Sequence, residues 1–193
     1  MSTAKRTVIL GDLHLTPMTS KRVSDDLARL LDAHAGERVI FAGDLFDLSA
    51  TAPRKERRRA IGEVFASHPA AAPALARHVD RGGELWLVGG NHDADVAVDD
   101  VREILLEALG ATPEGARRVR FSPWFFRDGA LHVEHGHLYD PDNAPAHPLV
   151  HGRASLGVHF VEEFIAPTGA FAYLNLSLIH ISEPTRLRRI SYA

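Results

Sequence analysis

The stretch Arg38-Val39-Ile40-Phe41-Ala42-Gly43-Asp44-Leu45-Phe46-Asp47 changes character at Gly43. Residues 39–42 are an unbroken apolar run with β-branched members, the pattern of a strand buried on both faces. The glycine lets the backbone turn sharply, and two aspartates follow it. In open α/β sheets the strand ends are where ligands collect. Three other strand-like segments end in the same way. Residues 8–10 precede Asp12-Leu13-His14, residues 85–88 precede Gly89-Gly90-Asn91-His92-Asp93, and residues 131–133 precede His135-Gly136-His137.

Between these strands the periodicity is helical. Val23, Leu27, Leu30 and Leu31 predict a helix over about 20–35, ended by Gly36. Residues 53–79 read as helix-rich, broken near His68-Pro69 and again before Pro73. Val101, Ile104, Leu105 and Ala108 share one side of a helix over 99–109, with Asp99 and Asp100 at its positive end. Residues 119–127 and 130–134 predict a hairpin around Asp128-Gly129. Crossovers and a hairpin together imply an α/β fold with mixed sheets.

At 193 residues and 45% hydrophobic content, the chain can bury a core of its own and fits one domain. Its 22 basic and 25 acidic residues balance to a formal charge of -3, which points to neither a nucleic-acid binder nor a polyanionic tail. With no cysteine and 12 histidines, any metal must rely on oxygen and imidazole donors. Residues 1–6 lack the apolar stretch of a secretory signal, and no segment is long enough to span a membrane. A cytoplasmic location is the expectation.

The polar clusters offer a coherent donor set. Asp12 and His14 stand two apart, so at the end of an extended strand both point one way and can hold one ion. Asp44, after its glycine, can bridge two cations. Asp47 is either a partner behind the site or a helix cap, with the cap favoured. Asn91 offers an amide oxygen, and His92 beside it points toward substrate, with Asp93 available to set its tautomer. His135 can bind through a ring nitrogen. His132 reads as a solvent-facing or otherwise satisfied histidine. The basic run Arg54-Lys55-Glu56-Arg57-Arg58-Arg59 reads first as a solvated helix face, and second as a clamp for an anionic substrate or lipid head group.

Taken together, the clusters over residues 7–143 resemble the calcineurin-like metallophosphoesterase family. That family's pattern runs Asp-x-His, Gly-Asp-x-x-Asp, Gly-Asn-His-Asp, a lone His, then Gly-His-x-His. The resemblance implies an α-β-β-α sandwich and a site for two divalent cations, with Mn²⁺ first and Fe, Zn²⁺ or Mg²⁺ as alternatives. One cation would sit among Asp12, His14 and Asp44, the other among Asp44, Asn91 and His135. His92 and Asp93 would serve catalysis. The implied activity is hydrolysis of a phosphomonoester or phosphodiester of a phosphorylated small molecule or lipid-linked substrate, with peripheral membrane contact in the lipid case. Two alternatives stand beside it: pyrophosphate hydrolysis like that of UDP-2,3-diacylglucosamine diphosphatase, and a non-catalytic scaffold. No nucleic-acid partner is indicated.

The final Gly-His-x-His is absent: Gly136-His137-Leu138-Tyr139 carries tyrosine where the second histidine belongs. Residues 176–193 also read, codon by codon, as translated sequencing adapter. The expected organisation is therefore a phosphoesterase domain over 1–175, incomplete at its C-terminus and holding its ions weakly, followed by a non-native tail. Residues 160–171 form an apolar, aromatic segment that reads as a lid or as core, with most of it expected in the core.

Overall fold

Thr7–Leu10 (β1), Arg38–Ala42 (β2), Glu84–Val88 (β3) and Val119–Ser122 (β4) form a parallel sheet in the order β1-β2-β3-β4. The computed structural model describes residues 6–48, 56–144, 158, 161–165 and 167. The expected tail over 176–193 and most of the segment over 160–171 lie outside them, although Val161 is buried. The register pairs Ile9 with Ile40, Ile40 with Trp86 and Trp86 with Arg120. Alternation then sorts each strand's side chains between two cores.

One face meets the helices. Lys21–Ala33 (α1), Arg57–Ser67 (α2), Ala71–Asp80 (α3) and Asp99–Leu109 (α4) supply Leu27, Leu31, Ile61, Val64, Leu75, Val79, Val101 and Leu105. From the sheet come Val39, Phe41, Leu85, Leu87 and Val119. Each such side chain, fully buried, stabilises the fold by about 1.5–3 kcal/mol before the entropy of ordering is deducted. A short helix, Pro113–Ala116 (α5), capped by the Thr112 hydroxyl, leads into β4. His68, fully buried, links α2 to the chain after β1, its Nε2 lying 2.7 Å from the Thr16 carbonyl oxygen.

The opposite face meets a hairpin, Phe125–Asp128 (β5) with Leu131–Glu134 (β6). Ile40 and Val88 from the sheet pack on Phe126 and Val133 in a second, smaller core. The α/β class and the two layers of strand are as expected, but among the described residues neither sheet is mixed: one is all parallel and the other antiparallel. Residues 119–127, expected as one arm of the hairpin, split at Pro123: β4 joins the parallel sheet and β5 begins the hairpin. Proline has no N–H for a continuing ladder, so the chain changes layer there. The break at His68-Pro69 is present, whereas the one before Pro73 is not. Pro73 lies in the first turn of α3, where its N–H would have no helical acceptor.

Phe126 is 3% exposed and meets Trp86 edge to face at 4.8 Å between ring centres. Phe126→Ala should cost about 3–5 kcal/mol in urea unfolding. Ile9→Ala, at a side chain 46% exposed on the same sheet face, should cost well under half of that. Equal losses would mean that the hairpin is not docked on this face.

Candidate active site

Past the sheet edge the chains leaving β1 and β2 remain paired. The N–H groups of Asp12, His14 and Leu15 donate to the carbonyls of Gly43, Asp44 and Leu45 at 3.3, 2.9 and 3.0 Å, and the Asp47 N–H returns to Leu15 at 3.2 Å. This pairing fixes two of the polar clusters against each other. It runs through unusual backbone: Asp12, His14 and Asp44, at φ 55°, 44° and 50°, are the non-glycine residues with positive φ among those described. Left-handed geometry costs a residue with a side chain roughly 1–3 kcal/mol and is retained where the surroundings impose it. Asp12 and His14 therefore converge through left-handed turns, not through the strand alternation expected of them.

Asp44 lies at the centre, 2% exposed. Its Oδ2 is 3.7 Å from His14 Nε2 and 3.2 Å from His135 Nε2, while His14 Nε2 is 3.8 Å from Asp12 Oδ1. Asn91 Oδ1 is 3.0 Å from the same His135 nitrogen. All five expected ligand residues thus fall in one contiguous cluster at the carboxyl ends of β1, β2 and β3. The hairpin delivers the last of them: His135 follows β6 and donates Nδ1–H to the Ala42 carbonyl at 3.0 Å, which turns Nε2 toward Asp44. Asn143, which the sequence did not single out, accepts from Asn91 Nδ2 at 3.3 Å, so the amide oxygen turns toward the centre.

Two glycines make room for this approach. A Cβ on Gly43, at φ 93°, would come within 2.5 Å of the His135 ring, and one on Gly90 would overlap Asp44 Oδ1. Both contacts couple the turn chemistry directly to the donors.

Of the two other carboxylates, Asp47 takes the less favoured of its two expected roles, a partner behind the site, and Asp93 departs from its own. Asp47 is the one on the His92 ring, with Oδ1 3.3 Å from Nδ1; it caps none of the helices among the described residues, and α2 starts behind Glu56. Asp93 is buried beneath the loops, where it accepts the N–H groups of Gly90, Asp44 and Phe46 at 2.8, 3.1 and 3.3 Å. It holds backbone instead of setting the His92 tautomer. Arg57, from the basic run, is also turned inward. It donates to the Leu48 carbonyl at 3.1 Å and pairs with Asp95, whereas Arg58 and Arg59 pair with Glu107, Glu56 and Glu63 on the surface. His132 is half-exposed and stacks on Phe125.

The family model of the calcineurin-like phosphoesterases matches residues 5–170. The chain belongs to that family. Comparison with curated proteins and with solved structures returned no match. Membership carries a general activity, metal-dependent hydrolysis of phosphoesters, and implies divalent metal ions. The donors fit such ions: Asp12, His14 and Asp44 each bring a ligand atom within 4.8 Å of the others, as do His14, Asp47 and His92. Carboxylate, amide and imidazole without thiolate suit a hard or borderline divalent cation.

The electrostatics of this phosphoesterase centre are those of a site awaiting positive charge. Burial pushes the Asp44 carboxyl up, but the His135 hydrogen bond and the charges of His92, His135 and His14 outweigh it and hold the group well below the usual range. Burial, reinforced by the Asp44 charge, raises Asp93 against its three backbone donors. For His92, burial disfavours the proton, yet Asp47, Asp44 and Asp93 carry its pKa to about 9; for His135 the hydrogen bond and charge of Asp44 carry it to about 8. His137 goes the other way, to about 4, through burial and the neighbouring His135 charge.

Two expectations follow from these contacts. Gly90→Ala should abolish stoichiometric Mn²⁺ uptake measured after gel filtration, while Gly62→Ala, whose Cβ would meet nothing within 4 Å, should leave it intact; retained uptake in Gly90→Ala would show that Asp44 need not sit where it does. Because a ligating His135 must shed its proton, apparent Mn²⁺ affinity should rise roughly tenfold per pH unit from pH 6 to about 8 and then level off. In the metal-free chain the same proton stabilises the fold below the ordinary pKa of 6.5, and that stability is lost as pH rises through about 8. Calorimetry in buffers of different ionisation enthalpy would register the released proton, and a flat affinity profile would contradict this assignment.

Proposed function

We propose that the chain hydrolyses a phosphomonoester or phosphodiester at a two-cation centre, with Mn²⁺ the preferred ion. The observation that carries this reading is the Asp44 carboxylate, one oxygen of which lies between the His14 and His135 imidazoles. A single oxygen flanked by two imidazoles from different layers is suited to link two ions. Asp12, His14 and Asp44 would hold one; Asp44, Asn91 and His135 would hold the other. Bound there, the pair of cations supplies Lewis acidity, lowering the pKa of a water and offsetting phosphoryl charge.

The chain's own residues do the rest. The Asp44 Oδ1 accepts the His92 backbone N–H at 2.9 Å, which ties the histidine's position to the bridging carboxylate. Asp47 fixes the ring through Nδ1 and keeps the imidazole protonated at neutral pH, and this protonated ring would donate to the leaving-group oxygen. Proton donation from this position is worth about 10²–10⁴-fold. The buried Asp93 holds Gly90, Asp44 and Phe46 still while this happens. The His92–Asp47 pair favours catalysis over a binding scaffold, which has no use for a proton donor.

The test is turnover of p-nitrophenyl phosphate and bis-p-nitrophenyl phosphate by the Mn²⁺-loaded chain. His92→Ala should lower kcat about 10²–10⁴-fold with bound Mn²⁺ unchanged, and Asp44→Asn should lose both ions together with activity. Mn²⁺ bound by the wild-type chain without turnover of either ester would favour the scaffold. Equal loss of metal and activity in His92→Ala would remove its role as proton donor.

A further inference from the structure

We propose that His14, Asp47 and His92 form a separate, inhibitory cation site, selective for Zn²⁺, that shuts down the phosphoesterase centre when it fills. Its effect on turnover rests on the two-cation reading above, in which His14 is a ligand and His92 the proton donor. The three side chains come from the chains leaving β1, β2 and β3, and each brings a ligand atom within 4.8 Å of the other two. Two imidazoles and one carboxylate suit Zn²⁺, with a fourth position left to water, whereas oxygen-rich sets suit Mn²⁺.

The distances agree with a shared ion. Donors about 2.0–2.1 Å from a tetrahedral Zn²⁺ stand about 3.3 Å from each other, and His92 Nδ1 lies 3.3 Å from Asp47 Oδ1. That is wider than the about 2.7–2.9 Å of a charge-assisted hydrogen bond, so the pair need not spread to admit an ion. Two imidazoles on one such ion have ring centres about 5 Å apart, and the His14 and His92 rings lie 5.1 Å apart, edge to face at 76°. Asp47 and His92 are nearly buried, but the His14 side chain is 40% exposed and opens the pocket to solvent. Charge draws a cation there, because Asp44 and Asp93 add to the field of Asp47 at the His92 ring. A neutral imidazole has one lone pair to give, so His14 cannot serve this ion and the Asp12–Asp44 cation together. Zn²⁺ in the pocket therefore draws His14 away from that cation. It also displaces the His92 proton to solvent and leaves the ring without the proton it would donate.

The experiment titrates the full Mn²⁺-loaded chain with Zn²⁺. Free Mn²⁺ is read by its paramagnetic resonance, turnover with the two nitrophenyl esters, and the ligands of the first equivalent of Zn²⁺ by X-ray absorption. One Mn²⁺ should be released per Zn²⁺, turnover should fall in step, and the absorption should count two imidazoles on zinc. Either position of the two-cation centre offers one imidazole, His14 or His135, so the count separates this pocket from simple replacement of Mn²⁺ and needs no variant to fold. His92→Ala and Asp47→Asn should each need at least about tenfold more Zn²⁺ to release Mn²⁺. His132→Ala, at a half-exposed surface histidine, should match the wild type. One imidazole on zinc, or Mn²⁺ release from His92→Ala at wild-type Zn²⁺ levels, would overturn this inference and leave the centre standing. Two imidazoles on zinc in a chain whose Mn²⁺-loaded form turns over neither ester would support the site and remove the hydrolysis reading.

Discussion

A buried carboxylate that accepts three backbone N–H groups is the contact on which the centre depends. Asp93 binds the amides of Gly90, Asp44 and Phe46 from below. The three hydrogen bonds offset only part of the cost of burying the group, since burial and the Asp44 charge still push its pKa up. They also impose shape. Asp44 can keep its left-handed backbone because its own N–H is held here and its carbonyl receives the His14 N–H. The strain at Asp12, His14 and Asp44 is thus balanced by contacts between neighbouring loops, and the three donors are positioned before any ion arrives.

Charge balance follows from that rigidity. Three buried carboxyl groups, those of Asp44, Asp47 and Asp93, lie close to the exposed Asp12, and burial makes their mutual repulsion expensive. In the metal-free chain, protons on His92 and His135 supply the compensation. The two protons have different fates. The one on His135 must leave for its nitrogen to bind an ion, whereas the one on His92 stays, held by Asp47. The same cluster of negative charge can therefore both attract cations and maintain an acid.

Much of this was legible in the sequence, because the signals are local. Unbroken apolar runs fix the strands β1, β2 and β3, and α4 falls on its expected bounds. The candidate donors lie at strand ends, where a parallel sheet gathers them. What stayed illegible depends on direction and on layers. Spacing shows that Asp47 and Asp93 are near His92, but which of them meets the ring depends on the way each carboxylate points once the loops have paired. Arg57 reads as one charge in a solvated run, and only its place at the inward-facing start of α2 brings it to Asp95 and the Leu48 carbonyl. The hairpin was foreseen, yet the change of layer at Pro123 that separates it from the parallel sheet was not.

That change of layer has a mechanical consequence for the centre. Asp12, His14, Asp44, Asn91 and His92 are all carried by the parallel sheet, whose large core packs against four helices. His135 arrives instead on the hairpin, docked through the small core of Ile40, Val88, Phe126 and Val133 and tied to the sheet by its bond to Ala42. A small apolar contact is the weaker of the two attachments. Any ligand that joins His135 to Asp44 and Asn91 therefore also joins the hairpin to the sheet, so its binding energy becomes docking energy. The imidazole that closes the centre is also a clasp between the two layers, and the order of the hairpin and the affinity of the centre must rise and fall together.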